Sequence, residues 1–181
     1  MEVERVFATN VFGLMNVTRA VLPYLRSRRS GHIINMPSIG GYASYPGWGV
    51  YCATKFAVEG ISEALSIELA PLGIHATVVE PGYFRTDFLS AQSLSSTAVT
   101  LDDYADTVGK MRTFAAAVNR QQPGDPQRLA QAIVQLAAAR TPTRLALGSD
   151  TLARIEEKHR DVQRELDLWR SVSLSTDFPR A

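Results

Sequence analysis

The chain of 181 residues has a single cysteine, Cys52, so no disulfide framework can form within it. Neither sign of charge dominates: 19 Lys and Arg stand against 18 Asp and Glu, a net charge of +1. That balance gives no reason to expect nucleic acid or a strongly acidic partner. No run of about 20 apolar residues occurs, and no secretory signal opens the chain, so a cytoplasmic protein off the membrane is expected. No internal repeat or low-complexity tract is present, and no metal site is expected. The twelve glycines nowhere form G-x-G-x-x-G or a similar cluster. The turn that most often cradles dinucleotide phosphates at a helix N-terminus is therefore missing from this sequence.

What is present suits one domain: 45% apolar and 20% charged residues can build a core. The stretch from Ser38 to Lys55 organises it. Tyr51 and Lys55 lie four apart, one helical turn, on a helix expected to start near Val50 after Pro46, Gly47 and Gly49. An ammonium close to a phenol favours the phenolate and would draw the Tyr51 pKa below its ordinary value of about 10. Ser38, at the end of the apolar strand Ile33–Met36, could hold a substrate oxygen beside that phenol. Tyr-x-x-x-Lys alone is a weak pattern and fits an amphipathic helix surface equally well. Tyr42, Tyr45 and Trp48 either line an apolar substrate pocket or pack their loop down.

Several motifs in fixed order sharpen this. Asn10-Val-Phe-Gly13 is followed by Thr18-Arg-Ala-Val-Leu-Pro23, then Gly31-His-Ile-Ile-Asn-Met-Pro-Ser38. Tyr51-Cys-Ala-Thr-Lys-Phe-Ala-Val-Glu-Gly60, Glu68-Leu-Ala-Pro-Leu-Gly-Ile74 and Val79-Glu-Pro-Gly82 with Thr86 come next. The chain resembles the C-terminal portion of a short-chain dehydrogenase/reductase, strongly over about residues 1 to 90. The resemblance implies an α/β fold: a partial Rossmann-like, doubly wound parallel sheet, with the last three strands and flanking helices in one truncated domain, 1–181. It implies NAD(P)-dependent hydride transfer between an alcohol and a ketone, with NAD or NADP left open. Tyr51 would be general acid/base, Lys55 would hold the cofactor ribose, Ser38 the carbonyl oxygen, and Asn10 a water relaying protons to Lys55. Pro81, Gly82, Phe84 and Thr86 would join Tyr51 and Lys55 in cofactor binding near the nicotinamide. A homo-oligomer is expected of the complete protein. Pro37 departs from the family, which often has a serine there.

Taken in order, residues 3 to 27 carry Val6, Phe7, Val11, Leu14, Thr18, Val21 and Leu25 at helical spacing. Arg26, Arg28 and Arg29 fall where that helix should end, where cations suit the dipole. Cys52 fits a small core position, and the sequon Asn16-Val-Thr18 reads as chance. His75–Val79 is a β-branched strand. Residues 87–122 shift toward Ser, Thr and Ala, with a helix expected over 102–120; the resemblance implies that this region covers the substrate, and a surface linker helix is the alternative. Asp125 and Pro126 open another helix, Thr143–Gly148 reads as a last strand, and Ser149 or Asp150 caps a final helix to about Arg170. His159 among its apolar positions reads as packed or half-exposed rather than catalytic, and residues 171–181 as a loose tail.

Two other outcomes stay open. Without the glycine-rich half, the chain could be a non-catalytic fragment or pseudoenzyme with an unpaired strand edge. A sugar-nucleotide epimerase shares the Ser, Tyr and Lys set, but the short span after Gly82 leaves little room for its substrate domain.

Overall fold

The computed structural model describes residues 2–94, 97, 99–138 and 142–178. Three parallel strands lie in the order β1 (Gly31–Asn35), β2 (Ile74–Pro81), β3 (Arg144–Leu147). Gly31 pairs with Ile74 and Asn35 with Val78, while Val78 to Pro81 run beside Arg144 to Leu147. Parallel neighbours need long crossovers. Helix α3 (Gly49–Leu69) supplies the first, and α4 (Lys110–Val118) and α5 (Pro126–Ala138) lie in the second. The sheet with its flanking helices is the partial Rossmann-like arrangement the motifs imply.

The expected N-terminal helix forms in three pieces: α1 (Glu2–Phe7), a π turn (Ala8–Gly13) and α2 (Leu14–Arg28). Arg29 closes it in the left-handed region. The core sits between these helices and the sheet. Ile33, Leu69, Ile74 and Ala76 form its centre, with Leu22, Leu25, Leu65 and Leu72 packed against them. The central strand β2 is buried from Ala76 to Glu80, as a parallel strand covered on both faces should be. A short turn, Ala70–Leu72, and left-handed Gly73 then lead from α3 into β2.

Three expectations need correction. The last helix, α6 (Ser149–Leu174), runs past Arg170, so the first residues of the expected loose tail are helical. Its i to i+3 pairs, Arg164 with Asp161 and Arg170 with Asp167, lie in the turns just before. Residues 179–181 of that tail lie outside the described residues. Asp150 caps nothing; its carboxylate accepts the Tyr83 backbone N–H at 2.7 Å. The helix expected over 102–120 is a 3-10 turn (Asp102–Tyr104), a π turn (Ala105–Gly109) and then α4. Asp125, by contrast, accepts the Gln127 N–H at 2.8 Å, the expected cap of α5.

Candidate active site

The chain leaves β1 at the carboxyl edge of the sheet, where open α/β sheets hold ligands. Ser38 follows at φ +133°, a backbone state rarely adopted by a residue with a Cβ. Its hydroxyl accepts the Gly40 N–H at 3.2 Å, which starts the turn Ile39–Gly41, and reaches the Pro81 carbonyl at 3.4 Å. The strained serine is thus held from both sides.

Helix α3 begins after Gly47, whose φ of +77° requires glycine, with Trp48 at its N-cap. One turn in, the Tyr51 phenol lies within hydrogen-bonding reach of the Ser38 hydroxyl. The Lys55 ammonium sits 5.5 Å from the Tyr51 ring centre and donates to the Met36 carbonyl at 3.1 Å. Burial pushes the Tyr51 phenol above its usual range, and the Ser38 hydrogen bond opposes that rise. Burial also pulls Lys55 below its usual range. The expectation that Lys55 draws the phenol down is therefore corrected: burial raises it, and what opposes the rise is the Ser38 hydrogen bond.

Ser38, Tyr51 and Lys55 open onto one cavity of about 370 Å³. Pro81, Gly82, Phe84 and Thr86 line it too. The space beside Gly82 is taken by Asp150, whose Cγ would lie 2.5 Å from a Cβ there. Asn10 does not reach the cavity lining. From the π turn it donates to the Thr54 hydroxyl at 3.0 Å, and that hydroxyl donates to the Tyr51 carbonyl at 2.7 Å. π turns inside helices are frequent at functional positions.

The expected lid region contributes Phe88, Leu89 and Gln122 to the cavity wall. Phe88 rides on a short turn held by Thr86, whose hydroxyl accepts its N–H at 3.3 Å. Its ring stacks on Trp48 at 6.0 Å and leans on Tyr51 at 5.7 Å. Farther along, Phe114 meets Tyr83 edge-on at 5.7 Å. Residues 95, 96 and 98 of this region lie outside the described residues. Trp48 and Tyr45 both line the cavity and also pack, Trp48 on Tyr51 and Phe88 and Tyr45 under Arg154. Tyr42 instead turns away to His159 on α6. Thr54 and Phe88 were not singled out from the sequence, since a threonine on a helix and a phenylalanine in a loop carry no pattern of their own.

This geometry can hold a carbonyl or alcohol oxygen between two hydroxyls, with a cation one turn away. A profile described as short chain dehydrogenase matches residues 1–96. A 3-ketodihydrosphingosine reductase of Bacteroides thetaiotaomicron is 41% identical over 142 residues, 78% of this chain and 52% of that protein. A solved short-chain dehydrogenase from Streptomyces avermitilis is 40% identical, with a TM-score of 0.88, over 98% of this chain and 64% of that one. A serine dehydrogenase complexed with NADP+ matches at 27% identity and a TM-score of 0.60, over 78% of this chain and 53% of its own. The chain spans about half the length of the curated relatives it matches.

Proposed function

The chain belongs to the short chain dehydrogenase family, and on that footing we propose that the protein transfers hydride between NAD or NADP and a small alcohol or ketone. The meeting of Ser38, Tyr51 and Lys55 on one cavity with the Pro81–Thr86 loop carries the proposal. The residues present fit the nicotinamide-ribose end of such a cofactor. An ammonium has three donors and Lys55 spends one on Met36, which leaves donors for ribose hydroxyls. The dinucleotide, when bound, supplies or accepts the hydride.

The chain's own groups handle the oxygen and its proton. In reduction Tyr51 gives its phenolic proton to the developing alkoxide, and in oxidation it takes the proton back. Ser38 turns its one hydroxyl proton from the Pro81 carbonyl to the same oxygen and keeps it in line with the phenol. Lys55 holds the ribose and stabilises the phenolate left behind. The Asn10 amide nitrogen serves Thr54, and its carbonyl oxygen is the atom for a water that refills protons through Lys55.

Pro81, Gly82, Phe84 and Thr86 form the wall against which the nicotinamide lies, and the Trp48–Phe88 pair suits an apolar substrate. The segment 87–122 acts as substrate cover. A cytoplasmic setting agrees with the single cysteine. Among the described residues no helix is long and apolar enough to cross a membrane. Self-association of the whole protein agrees with the exposed Phe12 and Tyr24 on the N-terminal helices and Ile67 on α3.

The test is oxidation of NADH or NADPH in the presence of a panel of ketones. We expect turnover at millimolar dinucleotide, with weak affinity, because the sequence offers no glycine-rich phosphate turn. Absence of turnover with every ketone and secondary alcohol, in a folded sample, favours the non-catalytic alternative. Micromolar binding of NADH to the 181-residue chain would overturn the expected weak affinity.

A further inference from the structure

Behind the candidate site, two glutamates meet where charge should not be. Glu59 on α3 is 5% exposed and Glu80 on β2 is 1% exposed, and their carboxyls lie within hydrogen-bonding reach of each other. Arg144 at the start of β3 is the nearest cation. Its Nη2 is taken by Glu63 at 2.5 Å, while its Nε stands 3.4 Å from Glu59 and 3.7 Å from Glu80. Among the described residues both Glu59 oxygens and Oε1 of Glu80 are buried and accept no well-formed hydrogen bond, the Arg144 Nε included. Two ionised carboxylates facing each other in that state would carry a large desolvation cost and repel. One proton between them supplies the missing donor and removes one charge.

We infer that Glu59 and Glu80 share a single proton across the contact of α3 with β2, and that this bridge positions the two halves of the candidate site. The catalytic consequence rests on the dehydrogenase proposal; the shared proton does not. Glu59 lies one turn beyond Lys55 on α3. Glu80 directly precedes Pro81, whose carbonyl holds the Ser38 hydroxyl. The turn after Ser38 is pressed on the same spot: a Cβ on Gly41 would lie 2.8 Å from the Lys55 carbonyl oxygen and 3.1 Å from Glu59 Cγ. The carboxyl pair therefore ties together the helix carrying Tyr51 and Lys55, the strand end before the cofactor loop, and the turn carrying Ser38.

Every charged neighbour has a place in this account. Lys55 and Glu63 flank Glu59 on α3, Glu80 faces it from β2, and Arg144 from β3. Across a cleft of about 870 Å³ that Glu59 and Arg144 line, α6 presents Lys158, His159 and Arg160, and Tyr42 stands at the same cleft. Burial, with Glu80 adding to it, lifts the Glu59 carboxyl to about 8. A carboxyl whose folded value is raised binds a proton that the unfolded chain has lost. Stability supported by that proton is complete below the unfolded value of 4.5, falls as pH rises toward about 8, and is level above it.

The experiment compares the 181-residue chain with Glu59→Gln, which keeps a donor at this position at every pH. The expected parent result is an unfolding constant that grows by up to about tenfold per pH unit between pH 5 and 8, relative to the variant. Equal slopes overturn the shared proton. Infrared spectra of the parent alone give a second reading that needs no variant. A protonated-carboxyl band that persists at pH 7 and is lost at pH 9 is expected, and its absence at pH 7 overturns the inference. Hydrogen exchange at residues 55–63 tests positioning: the parent should open at pH 9 relative to the variant, and equal protection overturns that role. In turnover the parent should lose about tenfold in kcat from pH 7 to 9 and the variant should not. Lack of any turnover counts against the dehydrogenase proposal, while the stability, infrared and exchange results decide the carboxyl pair.

Discussion

The Thr54 hydroxyl stands between Asn10 and Tyr51, accepting the Asn10 amide at 3.0 Å and donating to the Tyr51 carbonyl at 2.7 Å. Thr54 is fully buried. The N-terminal helices are therefore pinned to the first turns of α3 at the level of the phenol. Thr54→Val keeps the shape and leaves the Asn10 amide without its partner. Urea denaturation should show a loss of about 1–3 kcal/mol, and an unchanged midpoint would contradict the pin.

Phe88 covers the Tyr51 ring from a short turn held by the Thr86 hydroxyl and by the Arg120 pair with Asp87. Phe88→Ala should raise KM for bulky apolar ketones about two- to tenfold, the worth of one aromatic pair, with little change for small ones. Steady-state kinetics with ketones of increasing size checks it. An equal change for all sizes would place Phe88 outside substrate contact.

The raised phenol sets the sign of the pH dependence. At neutral pH Tyr51 is protonated, the form that ketone reduction needs, so reduction should show no Tyr51 limb below pH 10. Alcohol oxidation needs the phenolate first, and its rate should climb about tenfold per pH unit through neutral pH. Profiles in both directions, recorded in Glu59→Gln to remove the carboxyl pair's own titration, make the comparison. An oxidation rate level from pH 7 to 9 would show a phenol already ionised.

Much of the fold was legible because its signals are local. The β-branched run at His75–Val79, the cap at Asp125 and the left-handed Gly73 each act within a few residues. Ser38, Tyr51 and Lys55 could be grouped because one strand end and one helix turn lie close in sequence and were marked by a family pattern. Glu59, Glu80 and Arg144 could not, since three separate elements bring them together and each alone looks like a surface charge. Asp150 looked like a helix cap, and only the return of β3 beside β2 shows it bonded to Tyr83. The effect of Lys55 on Tyr51 was misjudged for a related reason: spacing gives proximity, while burial depends on Trp48 and Phe88 closing over the ring.

The most direct measurement is the rate of ketone reduction by Tyr51→Phe beside the parent, with folding checked by circular dichroism. Loss of the phenolic proton should lower kcat by at least about a hundredfold while leaving the secondary structure intact. A Tyr51→Phe protein that reduces ketones as fast as the parent would contradict Tyr51 as the acid.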